Sequence, residues 1–198
     1  VWRQGQRDAV QLRLSGVNVP ARARLDLAFL IDATGSMDDE IAKLRTHMRR
    51  IAGQIAALPS QPDLCFALVA YRDRGDAFFV RVQDFAADLG AIQSALDGLR
   101  AGGGGDYPEA FNEALHVAVH RLSWRGEGTA RLLIPVADAP PQRGRGGPWY
   151  DEDALGAAAR GIKLLPVGAS GLDRLGETVM RQLAQFTGGR FVFLTYAD

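Results

Sequence analysis

The sequence predicts a doubly wound α/β domain: a mostly parallel central sheet, helices on both faces and one antiparallel edge strand. Three observations carry this. Short, near-continuous apolar runs alternate with stretches of helical spacing, several of these runs stop abruptly at polar residues, and one is followed closely by a hairpin partner.

Taken in order, Val10-Gln11-Leu12-Arg13-Leu14 alternates apolar and polar residues and reads as a short edge strand, followed by a polar linker through Pro20 to Arg24. Residues 1–24 are therefore set apart from a main domain spanning 25–198. Leu25 to Ile31 forms the first buried strand and ends at Asp32. After Asp38-Asp39-Glu40, which suits the positive end of a helix dipole, Ile41, Leu44, Met48, Ile51, Ile55 and Leu58 recur at helical spacing as far as Pro59. A strand at Leu64 to Tyr71, its hairpin partner at Ala77 to Val82 and a helix around Leu89 to Leu99 follow. Beyond the run Gly102 to Gly105, a helix from about Pro108 buries Ala110, Ala114, Leu115, Ala118, Val119 and Leu122, and leads to a strand at Ala130 to Val136 that stops at Asp138. The remaining elements are a helix near Glu152 to Ala159, a strand at Ile162 to Val167, a helix from Leu172 to Phe186 and a last strand at Arg190 to Leu194.

The composition narrows the functional classes. With 198 residues, 47% hydrophobic and 23% charged, the chain is that of one globular domain. Twenty-three basic residues balance twenty-three acidic ones, so no global field draws it onto nucleic acid or an anionic membrane surface. No apolar stretch reaches the roughly 18 to 20 residues of a membrane-spanning helix, and Val1-Trp2-Arg3-Gln4 is unlike a signal peptide. The chain begins without Met and reads as a mature product or an excised domain, part of a larger chain or complex, and the sequence assigns no compartment. The single cysteine, Cys65, reads as a small core residue.

In an open parallel sheet, ligands bind in the crevice at the carboxyl ends of the strands. After the first strand, Asp32-Ala33-Thr34-Gly35-Ser36-Met37 sets three oxygen-bearing side chains at every second position, with Gly35 permitting a tight turn. One carboxylate and two hydroxyls form a hard-oxygen set suited to Mg²⁺ or Mn²⁺ rather than zinc. The plain alternative is that Thr34 or Ser36 caps the following helix.

Together with Tyr71-Arg72-Asp73, Gly103-Gly104-Gly105-Asp106-Tyr107-Pro108-Glu109-Ala110 and Ala137-Asp138-Ala139-Pro140-Pro141, this loop resembles a von Willebrand factor type A domain from about Leu25 to the C terminus. Within that Rossmann-like superfamily it is similar to the branch whose second loop reads Gly-Gly-Gly-Asp-x-Pro-Glu-Ala, a form also seen in the A-type domain attached to some alpha-kinases. The resemblance implies a metal-ion-dependent adhesion site at the carboxyl edge of the sheet. It implies Mg²⁺, with Mn²⁺ or Ca²⁺ as alternatives, and a protein partner whose acidic group completes the coordination. Carried over, Thr34 and Ser36 are direct ligands, while Asp32 and Asp138 reach the ion through water. Many members offer Thr in the second loop; this chain has Gly105 followed by Asp106, which puts Asp106 forward as the substitute ligand. Against this stands a helix N-cap, with Glu109 as the capping-box partner. Asp73 is expected to pair with Arg72 or Arg74. The loop carrying Arg143, Arg145, Trp149 and Tyr150 follows Asp138 on the same edge and is the candidate protein-contact surface.

Other chemistries find less support. His116 and His120 have the i, i+4 spacing that can chelate zinc, but no Glu follows His116 as in His-Glu-x-x-His, and they read as solvated or packed. Gly168-Ala169-Ser170-Gly171 is not a nucleophile elbow, and no P-loop sequence is present. A Mg²⁺-dependent phosphotransferase resembling the haloacid dehalogenases needs a second Asp two residues after the first, where Thr34 stands. The sequence therefore reads as a metal-dependent protein-binding module rather than an enzyme. Its main rival is a metal-degenerate structural or regulatory module that binds through loops.

Overall fold

Three strands of the central sheet end where a continuous apolar run meets its first polar residues, at Asp32, Arg72 and Asp138. The computed structural model describes residues 22–105, 107, 109–142 and 147–194. Its elements are β1 (Arg24–Asp32), a single 3-10 turn (Gly35–Met37), α1 (Asp38–Ala56), β2 (Asp63–Tyr71), β3 (Val80–Ala86), α2 (Leu89–Gly98), α3 (Phe111–His120), β4 (Thr129–Ala137), α4 (Tyr150–Ala159), β5 (Ile162–Leu164), β6 (Val167–Gly168), α5 (Arg174–Phe186) and β7 (Val192–Phe193). The strand at Val10 to Leu14 lies outside the described residues.

The strand order is β3-β2-β1-β4-β6-β7, with β5 also paired to β4. All pairings are parallel except β2 with β3. Alternation along β1 serves two cores. Leu27, Phe29 and Ile31 pack with Ile41 and Met48 of α1 and with Ile92 and Leu96 of α2. Ala28 and Leu30 pack with Phe111, Leu115 and Val119 of α3, Ala154 and Ala157 of α4, and Val179 and Leu183 of α5. Beyond α1, an apolar groove of about 580 Å³ lies between Leu44 and Ile51 on one side and Ile134, Val136 and Val167 of the sheet on the other. No described helix is long and apolar enough to cross a membrane.

Several boundaries differ from those the sequence predicts. The hairpin partner runs later, from Val80, because Phe78 and Phe79 belong to the turn, where Arg72 and Arg81 stack on Phe78 and Arg74 stacks on Phe79. The single strand expected at Ile162 to Val167 is broken in two around Pro166, which has no N–H to give a ladder. α5 starts at Arg174 because Asp173 accepts a capping bond from the Gly176 N–H (2.7 Å). α3 starts at Phe111 rather than near Pro108. The backbone of Glu109 is already engaged, its N–H donating to Pro140 O (3.0 Å) and its carbonyl accepting from Gln142 N–H (2.7 Å). Cys65 is half-buried rather than core, because β2 is only partly covered over its first three residues.

Candidate functional site

The sheet order reverses between β1 and β4, so the crevice at their carboxyl ends is the topological switch point. Asp32 is the last residue of β1 and Asp138 follows the last residue of β4. Both are buried, as is Thr34, whereas Ser36 is exposed.

The loop after β1 folds back on its own carboxylate. The Thr34 N–H and hydroxyl both donate to Asp32 Oδ1 (2.9 and 2.7 Å), and the Tyr71 hydroxyl donates to Asp32 Oδ2 (3.1 Å). Across the crevice, the proximity of the Ser36 hydroxyl favours the charged form of Asp138. Thr34 thus gives its proton to Asp32 and keeps oxygen lone pairs for another group, and the exposed Ser36 hydroxyl also offers lone pairs. Neither acts as a helix cap: Thr34 occupies the N-cap of the 3-10 turn without a capping bond, and α1 also begins without one.

Burial sets the electrostatics. Desolvation pushes the Asp32 carboxyl up to about 6 against the opposing hydrogen bonds from Thr34 and Tyr71, with the charge of Asp138 adding to the rise. Asp138 is also raised, chiefly by burial. Its Oδ1 is buried without a hydrogen-bond partner. An unsatisfied carboxylate oxygen beside two hydroxyl oxygens is a donor set that fits a hard divalent cation. The site is therefore embedded in the edge of the core rather than lying outside it.

A second loop closes over the first. Gly102 N–H donates to Ala33 O (3.1 Å), Gly35 N–H donates to Gly103 O (3.3 Å), and Gly104 N–H donates to Asp76 Oδ2 (3.0 Å). Gly103 and Gly104 take φ of +78° and +77°, a region that favours glycine. A Cβ at Gly104 would lie 2.9 Å from Thr34 Cβ and 3.0 Å from Glu109 Oε1. The Arg72 guanidinium supports the same loops by donating to Ala33 O (3.0 Å) and to Arg100 O.

The structure brings Asp32, Thr34, Ser36 and Asp138 together. Asp106 lies outside the described residues; α3 starts at Phe111, with Ala110 as its N-cap and no side-chain capping bond from that residue. Arg143 and Arg145 also lie outside the described residues. Trp149 is exposed, whereas the Tyr150 hydroxyl donates to Gln182 Oε1 (2.9 Å) and ties α4 to α5. Arg72 and Arg74 have other partners than the expected Asp73: backbone carbonyls for Arg72 and Glu113 for Arg74 (3.0 Å). Asp73 Oδ1 accepts from Gln142 Nε2 (2.9 Å).

Sequence reasoning missed Tyr71 and Glu109 as parts of the site. Burial and then a hydrogen bond with Asp73 push the Glu109 carboxyl up to about 9, with the charges of Asp32, Asp73 and Asp138 contributing. The available signal was positional: Tyr71 ends β2, and Glu109 lies just beyond the glycine run.

Comparison with known proteins identifies the family. The description "von Willebrand factor A domain" belongs to the family whose profile matches residues 26–127. The chain is 28% identical over 132 residues to the alpha-protein kinase vwkA of Dictyostelium discoideum, an alignment covering 66% of this chain and 21% of that protein. It is 29% identical over 120 residues to an ariadne-like RING finger protein of Acanthamoeba polyphaga mimivirus, covering 61% of this chain and 11% of the relative. It is 33% identical over 93 residues to mouse von Willebrand factor A domain-containing protein 7, covering 47% and 10% respectively. In each case the matched region is a small part of a much longer protein. The profile match spans β1 through α3, including the Asp32 to Ser36 loop, and the chain belongs to the von Willebrand factor A domain family.

Proposed function

We propose that this domain binds a divalent cation, Mg²⁺ first among them, and uses it to recognise an acidic group on a protein partner. The carrying observation is the buried, unsatisfied Asp138 Oδ1 at the switch point, with the Ser36 hydroxyl near Asp138 and the Thr34 hydroxyl bonded to Asp32. Thr34 and Ser36 offer oxygen lone pairs, Asp32 and Asp138 supply negative charge, and Asp106 is the further candidate ligand. When bound, the cation supplies an electrophilic centre at which a partner carboxylate replaces water. Exposure of Ser36 favours approach from that side, while the fully buried Tyr71 closes the other. The role is binding rather than catalysis: Thr34 stands where a phosphotransferase of this topology would need its acid-base carboxylate. We place the domain within a larger chain, as in the longer relatives it resembles.

Isothermal titration calorimetry of Mg²⁺ and Mn²⁺ into chelator-stripped protein tests the metal. We expect binding in the wild type, its loss in Asp32→Ala, and weaker binding in Asp106→Ala if that side chain is a ligand. Absence of binding in the wild type would overturn the metal reading and move attention to loop contacts around Trp149. For the partner, retention on an array of acidic peptides should require Mg²⁺; retention unchanged in chelator would refute recognition through the ion.

A further inference from the structure

The two histidines that the sequence suggests are merely packed or solvated belong to a second cluster, on the helices rather than at the strand ends. His116 and His120 lie one turn apart on α3, with ring centroids 4.5 Å apart. His116 Nδ1 and His120 Nε2 lie 3.0 and 2.8 Å from the same oxygen, Asp153 Oδ1, which the first turn of α4 delivers. The three ligand atoms all lie within 4.8 Å of one another. Ligands bound to zinc at about 2.0–2.1 Å in a tetrahedron are separated by roughly 3.3 Å, so small side-chain rotations would bring them to a common ion.

Two features indicate a built site. The Asp153 side chain is only 2% exposed, yet its Oδ2 is buried with no hydrogen-bond partner. A carboxylate with one oxygen shared by two imidazoles and the other unsatisfied is poorly served by those hydrogen bonds alone. In addition, Gly156, one turn after Asp153 on α4, makes room for the second imidazole. A Cβ there would lie 2.8 Å from His120 Cε1 and 3.0 Å from His120 Nε2.

We propose that His116, His120 and Asp153 form a binding site for a borderline divalent cation of the Zn²⁺ type, distinct from the hard-oxygen site at the strand ends. Two imidazoles and one carboxylate suit zinc rather than Mg²⁺, and three protein ligands leave a fourth position for water or another ligand. The ion would join α3 to α4 and place charge against the otherwise unsatisfied Asp153 oxygen.

The test uses the tag-free full chain, stripped with chelator and held in excess Mg²⁺ so that the strand-end site does not compete. Zn²⁺ is titrated calorimetrically, and Co²⁺ is followed by visible absorption as a reporter of coordination. We expect one equivalent of Zn²⁺ and a Co²⁺ band of tetrahedral or five-coordinate intensity. Because loss of outer-shell partners alone weakens metal sites by about 10–100-fold, loss of a ligand in His116→Gln or Asp153→Asn should weaken binding by at least roughly 100-fold. Asp32→Ala should leave it intact. His116 is 42% exposed, so His116→Gln provides the decisive variant should Asp153→Asn fail to fold. Absence of Zn²⁺ binding in the wild type, unchanged affinity in His116→Gln, or loss in Asp32→Ala would each overturn the proposal.

Discussion

At Gly104 the site depends on an atom that is not there. With φ at +77° and the position of a Cβ only 2.9 Å from Thr34 Cβ, the Gly104→Ala variant must either strain its backbone or push Thr34 aside. The backbone cost of a non-glycine residue in this region is about 1–3 kcal/mol, small enough for the domain to fold. We therefore expect Gly104→Ala to lower urea-unfolding stability by about that amount and Mg²⁺ affinity by at least tenfold. Undiminished affinity by calorimetry would mean that Thr34 need not sit beneath the loop. Asp32, Thr34 and Ser36 were legible in the sequence because their alternate spacing on one short loop is a local property. The roles of Tyr71 and Glu109 were not, because each depends on a neighbour brought in by the fold: Tyr71 reaches Asp32 from the adjacent strand, and Glu109 is fixed by pairing with the segment after β4. The His116 and His120 pair shows the same division. Their spacing was visible, but Asp153 comes from another helix.

Elements with strong periodicity matched the sequence reading to within a few residues, and the boundaries that moved were decided by contacts made or withheld at the element ends. The glycine loop and the Glu109 backbone bridge delayed α3, Asp173 set the start of α5, and Pro166 divided an apolar run that otherwise reads as a single strand. A partner distant in sequence explains why Asp26 is tolerated inside β1. It is fully buried, yet Arg125, from the segment between α3 and β4, donates to it through the backbone N–H (2.7 Å) and Nε (2.6 Å), and also bonds Asp63 and the Leu25 carbonyl. Arg125 thereby clamps β1 and β2 at the end of the sheet opposite the site. Arg125→Met leaves the Asp26 charge buried and only partly satisfied, and should cost about 3–5 kcal/mol in denaturant unfolding. The double variant Asp26→Leu/Arg125→Met should recover most of that loss, because both charges are then gone. If the double variant were as unstable as the single one, packing of the Arg125 stem rather than charge compensation would be responsible.

Across the whole molecule the two ends of the sheet carry opposite electrostatic solutions. At the amino end the buried carboxylate of Asp26 has a guanidinium as its partner. At the carboxyl end Asp32 and Asp138 are close enough for the charge of one to raise the other, and Asp138 Oδ1 is unsatisfied, an arrangement that burial raises in energy and that a cation would lower. Because β1 and β4 are central strands that contribute to both cores, an ion held between their ends should report on global stability rather than on a loop alone. A ligand present at about 100 times its dissociation constant stabilises the folded state by about 2.7 kcal/mol. In a domain of this size that corresponds to a rise in Tm of roughly 5–11 °C. We expect such a rise on adding Mg²⁺ to the chelator-stripped wild type and none in Asp32→Asn, which keeps the shape of the side chain but removes its charge. Equal shifts in the two proteins would place the stabilising ion somewhere other than the switch point.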